Sequence, residues 1–177
     1  MRFAPARKGH APRTEQIILF RAGTQLFAIS STSVQEVRSV DGLAGMAREV
    51  REPELPKVRH ALRRGERNLF VVNAALHFGL KPCPAPLMLM LRRSRVALLV
   101  DGIEKMTTMT RLQALPEAFC NEERTWYRGL TLLDQNVIPV VNPDGFLTAE
   151  ELFLLDATGI AQDVSVPPAN PDLGLNA

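Results

Sequence analysis

Apolar residues along this chain recur in short runs separated by turn residues, the rhythm of a β-rich protein. Gln16–Arg21 (QIILFR) ends at Ala22-Gly23-Thr24. Gln25–Ser30 (QLFAIS) then resumes with alternation: Leu26, Ala28 and Ser30 face one way, Phe27 and Ile29 the other. Two such runs around a glycine-containing turn predict a hairpin. Further runs follow at Asn68–Val72, Leu87–Leu91, Arg95–Val100, Ile103–Met109, Leu130–Leu133 and Val137–Val141. Arg92-Arg93-Ser94 and Asp134-Gln135-Asn136 fit tight hairpin tips, and Asp41-Gly42, Asp101-Gly102 and Asp144-Gly145 are turn dipeptides. Many short strands punctuated by Gly, Pro, Asn and Asp predict an all-β barrel or sandwich. Pro139 removes a ladder N–H, so its place within Val137–Val141 predicts an edge strand or a bulge.

Helical signal is limited. Thr32–Arg38 suits either a short helix or the entry to a strand. Residues 147–156 (LTAEELFLLD) carry the best helix pattern. Thr148 can cap it, with Glu151 three residues on completing a capping box, and Leu152 and Leu155 share one face. Residues 1–14 and 159–177 lack periodicity and hold several prolines, so both are expected to be flexible tails around a folded body at 15–158.

Composition narrows the picture. The 177 residues suit one domain or two small subdomains sharing a core. A net charge of +2 is too mild to imply nucleic acid. No apolar run approaches the roughly 18–20 residues of a membrane span, and the basic, Pro-rich N-terminus has no apolar stretch of the secretory kind. The expected location is the cytoplasm, where Cys83 and Cys120 would be free thiols.

Candidate chemistry is sparse. His10, His60 and His77 are scattered without a second ligand at metal spacing, and His77 beside Phe78 fits a packing role. Ser30–Ser33 is better explained by turn and cap hydrogen bonds than by catalysis. Glu122 and Glu123 are adjacent and read as a solvated loop. Nucleophile elbow, P-loop and dinucleotide-binding patterns are absent. No catalytic residue, cofactor or metal site is expected. The most suggestive charge feature is Arg59, Arg63, Arg64 and Arg67: a solvated loop, or a contact surface for an acidic partner, since guanidinium pairs bidentately with carboxylates.

Four ordered segments resemble the CheW-type coupling proteins of chemotaxis. Val34-Gln35-Glu36-Val37-Arg38 resembles the family's VQEIR, and Arg95–Met106 (RVALLVDGIEKM) its VGLIVDGVSDV. Thr125–Leu130 (TWYRGL) followed by Val137–Asn142 resembles its closing strands, and 146–156 its terminal helix. The likeness spans about 16–156. It implies two five-stranded SH3-like barrels around a shared core, roughly 15–85 and 86–146 with strands free to exchange, plus a helix at 147–156. It implies a non-catalytic scaffold at membrane receptor arrays, binding the cytoplasmic tip of a methyl-accepting chemoreceptor and the regulatory domain of a CheA-type histidine kinase. By residue, it points to Val34, Gln35, Glu36, Arg38, Arg63, Arg64 and Gly65 as partner-binding. Val34 can equally be buried in its own barrel. The family's central Arg-Gly pair maps to Arg64-Gly65, with Arg63 an alternative, and Asn73 stands where the family has Asp. That loop and the segment 41–56 diverge, which suits an accessory coupler.

Two other classes are open on sequence alone. A stand-alone SH3-like module for RNA or another protein would show clustered basic residues with exposed aromatics. An enzyme would show polar groups of shifted pKa converging in a pocket.

Overall fold

The computed structural model describes residues 14–43, 45–84 and 86–163. Among these residues, eleven strands form two sheets. The first sheet holds β1 (Glu15–Ala22), β2 (Gln25–Ser30), β9 (Gly102–Met109), β10 (Tyr127–Leu133) and β11 (Asn136–Val141), ordered β10-β11-β2-β1-β9. The second holds β3 (Val34–Ser39), β4 (Ala47–Glu49), β5 (Val58–Arg64), β6 (Arg67–Asn73), β7 (Leu87–Leu91) and β8 (Val96–Val100), ordered β3-β7-β8-β6-β5-β4. It thus has six strands, not the five expected, the sixth being the three-residue β4. Two SH3-like β units with a C-terminal helix are the result.

The strands do not divide near residue 85. The first sheet takes the first two strands and the last three, and the strands described between 34 and 100 belong to the second. β1 is the reason: it pairs with β2 on one side and with β9 on the other. The chain crosses to the second sheet through a 3-10 turn at Ser31–Ser33 and returns through Asp101 alone, whose N–H donates to the Arg21 carbonyl at 2.9 Å. Thr32–Arg38 is therefore a turn followed by a strand entry.

Alternation along the strands builds three cores. In β6, Leu69 and Val71 face one way with Met88, Met90 and Ala97, inside the second unit. Phe70 and Val72 face the other way, with Leu89, Leu98, Ile18, Phe20, Phe27 and Ile29, in the seam between the units. Ile17, Leu19, Ala28, Ile138 and Val140 fill the first unit. Because both faces of the central strands are covered, runs such as LMLML and VALLV are apolar throughout. The opposed facing of Ala28 against Phe27 and Ile29 agrees with the sequence pattern.

Turn chemistry fixes the register. Two-residue loops join β1 to β2 at Gly23-Thr24 and β10 to β11 at Asp134-Gln135. Asp134 and Gln135 both have positive φ, as a type I′ turn demands. Arg93, with φ 55°, sits in the tip between β7 and β8, where the sequence placed a hairpin. Pro139 departs from expectation, because β11 lies inside its sheet. Its partner Leu130 turns its N–H and C=O toward Gln113, away from β11, so the imide nitrogen of Pro139 points toward β2. There the pairing is one position, Val140 against Ala28, and no bond is lost.

Helix α1 (Ala74–His77) is capped by the Asn73 side chain, and α2 (Asn121–Trp126) precedes β10. α3 runs Ala149–Asp163, well past the expected end at 156 and through residues assigned to a tail; 1–13 and 164–177 lie outside the described residues. No helix breaker stands between 156 and 163 apart from Gly159, which a helix tolerates at about 1 kcal/mol. The predicted capping box is present: Thr148 N–H donates to Glu151 Oε2 at 2.8 Å and Glu151 N–H to Thr148 Oγ1 at 3.1 Å. Thr148→Ala should lower stability by about 1 kcal/mol, read from chemical denaturation; an unchanged midpoint would mean that water replaces the cap. α3 is tied to the second unit by Leu155 in the seam, by Lys57 with Glu151 at 2.7 Å, and by Arg95, which grips Asp156 with two bonds of 2.8 and 2.5 Å.

Candidate functional site

The predicted site residues gather around one end of the second sheet, with one exception. β3 begins there, β5 turns into β6 there, and β7 turns into β8 there. Val34 is the exception: only 8% exposed, it packs in the seam against Leu91, its partner across the sheet. Its side chain belongs to the buried seam and not to the exposed surface. Gln35 is the extra residue of a bulge, since Val34 opposes Leu91 and Glu36 already opposes Met90. A bulge re-aims a side chain, and Gln35 Oε1 accepts from Arg64 Nη1 at 3.0 Å. That bond joins the VQEVR strand to the arginine hairpin across 29 residues.

Arg63, Arg64 and Gly65 form the β5–β6 tip, in which Arg64 opposes Arg67. Gly65 has φ 62°, so a left-handed turn explains the glycine without any partner. Arg63 Nε donates to the Gly65 carbonyl at 3.2 Å, stiffening the tip. The arginines thus belong to paired strands, not to a solvated loop. Arg59 is at the far end of β5, beside Glu49, Arg51 and Glu52, and does not join them.

Glu36 and Arg38 are two apart on β3 and so share a face, bonded at 2.9 Å. Arg38 holds the Glu36 carboxyl below the usual carboxylate range, with Arg64 adding to the effect. Between β3 and β5 lies a groove of about 110 Å³, lined by Glu36, Arg38, Arg63 and Arg64 over Met46, Leu62, Leu69 and Met90. These apolar residues mark the mouth of the second unit, and Met46 is 58% exposed. Sequence reasoning did not pick them out. The alternation of Met88 and Met90 within Leu87–Leu91 was the available signal.

The two groups displaced furthest from ordinary values are His77, lowered to about 3, and Tyr127, raised to about 12. Burial dominates both shifts, followed by Lys57 for His77 and Glu123 for Tyr127. They sit in an aromatic cluster with Phe78 and Trp126, not in the groove. Among the described residues, no group of three or more His, Cys, Asp or Glu could hold a metal, and no helix is long and apolar enough to cross a membrane.

Two SH3-like units fused through one seam, presenting an exposed polar face over a small groove, define a binding scaffold. The CheW-like domain model matches residues 16–151, so the chain belongs to the CheW-like family, whose members are non-catalytic adaptors of chemotaxis. Among solved structures it resembles the scaffolding protein TtCheW from Thermoanaerobacter tengcongensis, with a TM-score of 0.59 at 14% identity, over 73% of this chain and 90% of that one. At that identity the likeness concerns the fold. No curated protein matches the chain.

Proposed function

We propose that this chain couples methyl-accepting chemoreceptors to a CheA-type histidine kinase, at the cytoplasmic face of receptor arrays. It does so without chemistry, by holding the receptor tip and the regulatory domain of the kinase in register. Transmission then requires contacts that differ between two signalling states. The observation that carries this is the family match over nearly all of the folded body.

The proposed contact face is Gln35, Glu36 and Arg38 on β3 with Arg63, Arg64 and Gly65 at the β5–β6 tip. Its support is the Gln35–Arg64 bond, which makes two sequence-distant segments one surface. The test is binding of the purified chain to the receptor tip and to the kinase regulatory domain encoded in the same genome. Arg64→Glu should weaken at least one complex about tenfold and leave the melting midpoint within about 2 °C, as an exposed substitution does. Wild-type protein that binds neither partner would sink the proposal.

A further inference from the structure

Arginine is concentrated at this end of the second sheet beyond the residues discussed so far. The two tips read RRGER (63–67) and RRSR (92–95): six arginines and one glutamate, in a chain of net charge +2. Parallel pairing of β6 with β8 brings them together, because Phe70 opposes Val96 and the Phe70 N–H donates to the Arg95 carbonyl at 2.7 Å. Between the tips is a second groove of about 390 Å³, lined by Gln35, Arg64, Arg67, Asn68, Arg93 and Arg95, among others.

Among the described residues, no carboxylate lines that groove. Arg95 is engaged by Asp156, Arg64 by Gln35, and Arg92 by the Thr32 carbonyl at 3.1 Å. Arg67 and Arg93 make no ion pair or side-chain hydrogen bond among the described residues. Guanidinia gathered around one groove without a counter-charge repel one another, and a ligand that brings carboxylates relieves this. Planar forks suit carboxylates or phosphates equally. The surroundings favour carboxylates on a protein: none of the described residues lining the groove is an aromatic on which a base could stack, and the family is one of protein adaptors.

We infer that the groove between the two arginine tips receives an acidic protein segment, with Arg67 and Arg93 as its unassigned anchors. This rests on the coupling function proposed above and adds the chemistry of the partner surface. The experiment measures affinity for the receptor tip and for the kinase regulatory domain across a salt series. It uses wild type, Arg67→Glu/Arg93→Glu and the milder Arg67→Gln/Arg93→Gln. For one partner the reversal should weaken binding at least about tenfold and flatten its dependence on salt, with neutralisation in between. If wild type binds and both double variants match it in affinity and salt slope, the groove inference is wrong while coupling stands. If wild type binds neither partner, coupling fails first. Should the reversal variant not fold, the neutral variant decides. Tighter binding to a single-stranded oligouridine than to either protein would also overturn the inference.

Discussion

Gly129→Ala is expected to be among the most damaging small substitutions in the chain, costing about 3 kcal/mol. Gly129 lies where β10 meets the segment after β9. Gln113 and Leu130 exchange two backbone bonds there, of 2.7 and 2.9 Å, which bridge that segment to the edge of the first sheet. A Cβ on Gly129 would stand 2.2 Å from the Gln113 carbonyl oxygen and 3.0 Å from Leu112 Cδ1. The first contact is with backbone, so no side chain can swing aside. Either the bridge opens or β10 shifts, and overpacking in such a place costs 1–3 kcal/mol and sometimes more. For a domain of this size, that is a fall of roughly 6–12 °C in the melting midpoint. Gly42, exposed and with nothing near its missing Cβ, is the control. Gly42→Ala should move the midpoint by less than about 2 °C. Equal midpoints for the two variants would show that the bridge yields freely.

Gly129 also marks how far the sequence could be read. Its place in the TWYRGL segment carried a family resemblance, but the reason for the glycine lies in Gln113, sixteen positions earlier, and no local pattern reveals such an approach. The local features were legible: the hairpin tips, the alternation in β2 and the capping box all follow from nearest neighbours. Partner choice between strands was not. That β1 would recruit β9, and that residues 34–100 would close as one sheet, depends on contacts far apart in the chain. The same divide runs through the candidate site. Gln35 and Arg64 were each picked out by resemblance, whereas the bulge that aims one at the other is visible only in the sheet register. Val34 went the other way. A branched apolar residue at a strand start fits a surface or a core equally well until its neighbours are known. In sequence Arg93 is a turn residue, and only the parallel pairing of β6 with β8 brings it to the same groove as Arg67.

His77 sets the second large effect, a loss of stability in mild acid. The residue is 6% exposed, and its ring packs against Phe78, Trp126 and Phe146 at 4.9–5.0 Å between centroids. Nε2 is buried without a hydrogen-bond partner. Burial, with Lys57 adding to it, lowers the pKa from 6.5 to about 3, so the folded protein keeps this imidazole neutral. The unfolded chain takes up the proton below about 6.5. Stability from this group is therefore complete above pH 6.5 and is lost as pH falls toward 3. Between pH 7 and pH 5 the loss is about 2 kcal/mol, or roughly 4–8 °C. The carboxylates whose pKa values are lowered by arginine, Glu15, Glu36 and Asp156 among them, titrate below this window and add little at pH 5. His77→Phe keeps a ring in the aromatic cluster and removes the proton site. The variant should lose well under 1 kcal/mol over the same interval, whatever its absolute stability. Parallel stability–pH curves for the two proteins would mean that the seam admits a protonated His77, and with it water, at the junction of α1 with the base of α2.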